Sequence, residues 1–256
     1  MTIRLAVVTG AAGDIGQAIA RRLMRDHDRV LFADRDLEGA EAAARGIGGA
    51  CTSIRVDVTD PDSCAALAET AAGAGGVATL VNNAGAALGA SLHATGPANW
   101  QADRALNLDA AYYVFSALAD QLAAQRGSVV NIASVNGMGV FGHPAYSAAK
   151  AGMIHLTRLI AVEYGRKGIR ANAVAPGTVR TRGWESRLAA NPDVFREAAQ
   201  HYALGRIATP EDVAEAVGFL ASPLAAAITG VVLPVDCGLT AGIPSLARTF
   251  SQTLDY

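Results

Sequence analysis

The sequence predicts an α/β fold: one doubly wound domain with a parallel sheet of about seven strands and helices on both faces. Three observations predict it. Seven short apolar runs, at residues 5–9, 30–33, 52–56, 79–81, 128–132, 170–174 and 231–235, alternate with longer Ala-rich segments. Each run is of strand length and bounded by Gly, Asp, Asn or Pro, and the gaps can hold crossover helices. The chain's 256 residues suffice for one large core, and no repeat, low-complexity tract or linker divides residues 1–256.

The first run enters Thr9-Gly10-Ala11-Ala12-Gly13-Asp14-Ile15-Gly16 and then a helical stretch at 17–25. A Gly-rich turn between strand and helix lets backbone N–H groups approach a pyrophosphate at the positive end of the helix. The second run ends at Asp34, eighteen residues past Gly16. A carboxylate there accepts both ribose hydroxyls and repels a 2′-phosphate, which favours NAD over NADP. Arg35 follows and is the residue that could hold a 2′-phosphate. The next runs lead into Asp57-Val58 and Asn82-Asn83-Ala84-Gly85.

Residues 99–124 read as a helix carrying Asn107, and the fifth run ends just before Ser134. Twelve residues on, Tyr146 and Lys150 stand four apart, on one face if helical. A phenol alone titrates near ~10. A neighbouring ammonium favours the phenolate, so the pair has the parts of a general acid/base. The sixth run passes into Pro176-Gly177. Residues 178–209 are the least regular stretch and are expected to form a substrate lid. The tail, 240–256, leaves the strand pattern and is expected at a subunit interface.

Composition excludes several classes. Hydrophobic residues make up 51% and charged residues 17%, which fits a compact soluble protein, and the net charge of -2 draws the chain to neither nucleic acid nor an anionic membrane. No apolar run reaches membrane-span length, and the N-terminal run is too short for a secretory signal. Cys51, Cys64 and Cys237 form no C-x-x-C pair and read as reduced thiols of a cytoplasmic protein. The five histidines lack metal-ligand spacing, so no metal is expected.

Taken together, Thr9-Gly10 through Gly16, Asp57-Val58, Asn82-Asn83-Ala84-Gly85, Asn107, Ser134, Tyr146 to Lys150 and Pro176-Gly177 resemble the short-chain dehydrogenase/reductase family, in its order and spacing from Leu5 to about Gly238. The resemblance implies a Rossmann-like fold, a nicotinamide cofactor and a homotetramer. It assigns Asn107, Ser134, Tyr146 and Lys150 to one active site: Tyr146 as acid/base, Lys150 lowering its pKa and holding the nicotinamide ribose, Ser134 bonding the substrate oxygen, and Asn107 holding a relay water. It also implies cofactor contacts from Gly10, Asp14, Ile15 and Gly16, from Asp57 and Val58 at the adenine, from Asn83, Ala84 and Gly85 at the ribose, from Val179 and Thr181 at the carboxamide, and from Pro176, Gly177, Tyr146 and Lys150. The middle glycine of the family's turn is Asp14 here. An Asp tolerates the left-handed region better than most residues, so the turn is expected to survive with its side chain facing away from the phosphates.

For the substrate, Asn136, Met138, His143, Trp184 and Tyr202 are candidate contacts. His143 reads first as a plain surface-loop histidine and otherwise as a contact for a polar substrate or an aid to proton transfer. Arg180, Arg182 and Arg187 read first as a solvated face and otherwise as partners of an anionic substrate. A polyol, sugar-derived, hydroxy-acid or small cyclic alcohol fits such a lining, and an acyl thioester is not excluded. The leading reading is an NAD-dependent oxidoreductase of secondary alcohols or ketones. The alternatives are an NADPH-dependent 3-oxoacyl-carrier-protein reductase and a silent nucleotide sensor on the same fold.

Overall fold

The computed structural model describes residues 3–89, 91–253 and 255. Seven parallel strands form one sheet: β1 (Leu5–Thr9), β2 (Arg29–Asp34), β3 (Cys51–Arg55), β4 (Val77–Asn82), β5 (Ser128–Ile132), β6 (Arg170–Pro176) and β7 (Val232–Val235), in the order β3-β2-β1-β4-β5-β6-β7. The chain winds outward in both directions from β1 and β4, which pair directly. Their carboxyl ends therefore open the crevice where ligands of doubly wound sheets bind.

Successive side chains on a strand face opposite ways, and each face has its own helices. Ala6 and Val8 of β1 pack on one side with Ile19 and Leu23 of α1 (Asp14–Leu23) and Val213, Val217 and Leu220 of α9 (Pro210–Ala221). α2 (Leu37–Ile47) covers the same face. Leu5 and Val7 pack on the other with Leu67 of α3 (Pro61–Gly73), Leu118 and Leu122 of α5 (Ala110–Ala124) and Ile160 of α6 (Pro144–Tyr164). Both faces being covered explains strands that are apolar throughout. Pro234 is tolerated because β7 is an edge strand.

β1 and β5 have the predicted bounds, and the other five strands differ at their ends by one or two residues, as sequence patterns fix ends poorly. Two segments differ more. Residues 99–124 are not one α-helix: α4 (Pro97–Arg104) passes through a π-helical turn, Ala105–Asp109, into α5. The stretch 178–209 is more regular than expected, holding a 3₁₀ turn (Arg182–Trp184), α7 (Glu185–Ala190) and α8 (Val194–Ala199). A parallel bridge between Val179 and Ala208 closes its base. The tail forms α10 (Pro244–Ser251); Leu254 and Tyr256 lie outside the described residues. Among the described residues no helix is long and apolar enough to cross a membrane.

Candidate active site

Ser134, just beyond β5, caps a 3₁₀ turn at Val135–Gly137, its Oγ accepting from the Asn136 amide at 3.1 Å. Tyr146 and Lys150 lie in the first turns of α6, which begins at Pro144 where a missing N–H does no harm. The Lys150 ammonium donates to the Ile132 carbonyl at 2.7 Å and lies 5.6 Å from the centre of the Tyr146 ring. Burial of Lys150, 2% exposed, pushes its pKa down to about 7. Burial also pushes the Tyr146 phenol up, a hydrogen bond with Ser134 opposes this, and Asp103 adds to the rise. In this state the phenol therefore departs from the lowered pKa expected of the pair: its desolvation dominates, and burial disfavours the charge on the neighbouring lysine as well.

Asn107 sits in the π-helical turn, fully buried. Its Nδ2 donates to the Asp103 carbonyl at 2.9 Å, which in a regular α-helix would receive the Asn107 amide, and to the Ala86 carbonyl at 2.8 Å. Its Oδ1 is buried without a partner. A Cβ on Gly85 would fall 2.7 Å from that Oδ1 and 3.3 Å from the Lys150 Nζ. Only glycine lets the two polar ends flank one small space, and the Asn107 Oδ1 there keeps its acceptor capacity unused.

At the other end, α1 begins at Gly13 with no side-chain cap, whereas Asp36 and Asp60 cap α2 and α3. Uncapped amides at a helix N-terminus suit an anion, so the residues present fit a dinucleotide diphosphate. Gly10 takes φ +63°, and a Cβ on Gly16 would lie 2.4 Å from the Gly10 carbonyl oxygen, so helix and turn meet at glycine-only distance. Asn83 secures the turn from below, donating to the Thr9 and Gly10 carbonyls at 2.9 and 3.0 Å. Asp34 accepts from the Ala12 and Asp36 amides at 2.9 and 3.0 Å, and each oxygen keeps capacity for a ribose hydroxyl. Asp57 is held ionised mainly by hydrogen bonds from the Thr59 side chain and amide, and Val58 is core.

No left-handed residue is needed at position 14: Asp14 opens α1 in helical conformation, because the positive φ falls at Gly10. Its carboxylate accepts from the Arg182 Nε at 2.5 Å and the Arg182 amide at 2.6 Å. It faces a small hollow outside the main cleft, whereas Ile15 lines the cleft itself.

That cleft, of about 1320 Å³, brings together Ile15, Asn83, Gly85, Ser134, Asn136, His143, Tyr146, Lys150, Pro176, Gly177, Val179, Thr181 and Trp184 of the predicted residues. Gly10, Asp14, Gly16, Asp34, Asp57, Val58, Ala84 and Asn107 lie outside its lining. Tyr202 also lines it, but its hydroxyl is occupied by the Thr178 amide and hydroxyl at 2.9 and 2.8 Å. His143 caps α6 at φ +53°, with Nδ1 2.7 Å from the Gly89 carbonyl. Sequence reasoning missed Ile243, Pro244 and Arg248 of the tail, His201 of the lid region and Phe141. Helical spacing in 244–251 was the available signal, and it does not say what a helix lies against.

Residues 10–240 match the family profile described as enoyl-(acyl carrier protein) reductase. The crystal structure of an oxidoreductase of the short-chain dehydrogenase/reductase family from Burkholderia thailandensis superposes with a TM-score of 0.95, at 46% identity over 100% of both chains. The cis-4-hydroxycyclohexanecarboxylate dehydrogenase of Sinomonas cyclohexanicum is 43% identical over 248 residues, covering 93% of this chain and 97% of that one. The meso-2,3-butanediol dehydrogenase of Serratia marcescens is 34% identical over 244 residues, 93% and 95% of the two chains. With this sheet order and this match over nearly its whole length, the chain belongs to the short-chain dehydrogenase/reductase family, whose oxidoreductases use a nicotinamide cofactor.

Proposed function

We propose that the chain oxidises a secondary alcohol, or reduces the matching ketone, with NAD, and that Tyr146 moves the hydroxyl proton. The observation carrying this reading is the convergence of Ser134, Tyr146 and Lys150 on one cleft wall, with the partnerless Asn107 Oδ1 behind. A nicotinamide held by Lys150, Val179 and Thr181 would supply the hydride acceptor for the carbinol carbon. Ser134 Oγ bonds the substrate oxygen and favours negative charge there. Tyr146 Oη accepts the hydroxyl proton in oxidation and returns it in reduction. Lys150 is held by the Ile132 carbonyl with its Nζ toward the space shared with Asn107, which holds the water that passes the proton outward. Because burial holds the phenol up, oxidation is expected to rise with pH through neutrality and reduction to fall.

Asp34 carries the choice of NAD, its carboxylate being placed by two amides at the end of β2. Residues 178–209 serve as the substrate lid. Exposed Tyr112, Leu159 and Val162 on α5 and α6 fit burial between copies in a homotetramer, with the tail at a subunit boundary. The names of the relatives extend the candidate substrates to a hydroxycyclohexanecarboxylate and a diol.

The test is initial rates with NAD and with NADP on secondary alcohols, polyols, hydroxy acids and a 3-oxoacyl thioester. The expected result is NAD reduction by an alcohol at a kcat/KM at least about tenfold above that with NADP. Preference for NADPH and the thioester would replace it with the acyl-carrier-protein reductase reading. Cofactor binding with no turnover of any class would favour the nucleotide sensor. Sedimentation of an active monomer would remove the tetramer.

A further inference from the structure

One sign of charge is missing from the cleft. Among the described residues, no Asp or Glu lines it, whereas Lys150, Arg187 and Arg248 do, with His143 and His201. The whole chain carries 23 acidic against 21 basic residues, so composition does not explain a lining without a carboxylate. The cations of this region have distinct employments. Lys150 bonds the Ile132 carbonyl beside the tetrad. Arg180 covers the Phe195 ring at 4.8 Å and Arg182 pairs with Asp14, and neither lines the cleft.

Arg187, on α7, does line it, with its guanidinium 4.6 Å over the Trp184 ring. Trp184 lies against buried Phe195, centroids 5.5 Å apart, so the arginine rests on a packed aromatic platform. A guanidinium held over an aromatic ring has fewer accessible rotamers and keeps N–H groups for a planar acceptor. The cofactor's diphosphate does not account for it, since the helix end suited to that anion is α1, whereas Arg187 and Arg248 come from the lid and the tail. Those two segments also present Trp184, Ile243 and Pro244, apolar surface for a hydrocarbon body.

We propose that the substrate is a secondary hydroxy acid whose carboxylate docks on Arg187, with Arg248 lining the same cleft. Its hydrocarbon body contacts Trp184 and Ile243, and its hydroxyl meets Ser134 and Tyr146. The inference rests on the dehydrogenase reading above and narrows its substrate. The carboxylate is a handle only and takes part in no bond change.

The test compares NAD-coupled oxidation of hydroxycycloalkane carboxylates with that of their methyl esters, and with sulfonate and phosphate analogues to fix which anion fits. The wild type is expected to prefer the acid over the ester by about 10- to 100-fold in kcat/KM, the size of a charge-assisted hydrogen bond. Arg187→Gln should shrink that ratio to within about threefold through KM, Arg187→Lys should restore part of it, and salt should erode it. Equal use of acid and ester, or a preference that survives both Arg187→Gln and Arg248→Gln, overturns the inference and leaves the dehydrogenase reading standing. If these compounds are not oxidised while a polyol or simple secondary alcohol is, the inference falls and the dehydrogenase reading stands; if no alcohol of any class is oxidised, the dehydrogenase reading falls. Calorimetry with the carboxylates then decides: binding that Arg187→Gln abolishes sustains the anion site, and no binding ends it.

Discussion

The two ends of the cleft are built by different means. At the dinucleotide end, consecutive backbone groups make the site: β1, a turn with φ +63° at Gly10, and an uncapped α1, all within Leu5–Leu23. At the end where we propose the substrate binds, single side chains from Trp184, Arg187, Ile243 and Arg248 line the cleft from segments some sixty residues apart in sequence. The first kind of site is specified by local stereochemistry and admits few sequences. The second is lined by side chains from separate segments and can change its occupant without changing the fold. The tetrad lies where the two meet, and the largest effects are expected there.

Tyr146→Phe removes the titrating atom and little volume. A loss of kcat of about 10³-fold or more is expected, with NADH affinity, read by fluorescence, within about threefold of wild type. Near-normal turnover would move the proton chemistry elsewhere. Next in size is the core beneath the dinucleotide end. Phe32 of β2 is wholly buried, so Phe32→Ala is expected to lower stability by about 3–5 kcal/mol in urea melts. Phe195→Ala, in the small cluster that holds α7 and α8, should cost global stability less than half of that while loosening residues 182–199 in hydrogen exchange. Equal losses would mean that residues 182–199 fold as one unit with the sheet.

Lys150 gives a pH signature. Its pKa is about 7 in the folded chain against an ordinary 10.5, so between those values the unfolded chain binds a proton that the folded chain does not. Stability therefore rises with pH across that window, and the full penalty applies below it. Lys150→Met lacks the penalty and leaves the Ile132 carbonyl without its donor. It should stabilise the apoprotein by about 2 kcal/mol at pH 6, with the gain fading toward pH 10. A gain that grew with pH would show that the buried lysine is not neutralised in this way.

The same contrast decided what the sequence disclosed. All seven strands, the Gly-rich turn, Asp34 and the Tyr146–Lys150 spacing are local patterns, and each was readable. The π-helical turn at Ala105–Asp109 was not, since Ala-Leu-Asn-Leu-Asp is ordinary helical sequence and the turn is stabilised by Asn107 reaching the Ala86 carbonyl. Nor was the raised phenol, because burial of Tyr146 and Lys150 is a property of the packed domain. Arg248 was out of reach for the same reason: nothing local says that α10 returns to the cleft.

The smallest expected effect tests a contact between the start of α1 and the segment 178–209. Asp14 stands where the family turn has a glycine and holds Arg182 by side chain and backbone amide. The pair is partly exposed, at 21% and 64%, so its worth is modest and screened by salt. Asp14→Asn retains an acceptor for the Arg182 amide and removes the ion pair. It should shift the unfolding midpoint little, weaken NADH about two- to fivefold, and raise hydrogen exchange at 182–190 in the apoprotein. Asp14→Gly restores the family's residue, and both contacts go. If the contact joins the two ends, Asp14→Gly must loosen the lid more than Asp14→Asn does. If both variants leave lid exchange untouched, the two ends are independent, and the lid answers only to what the substrate does.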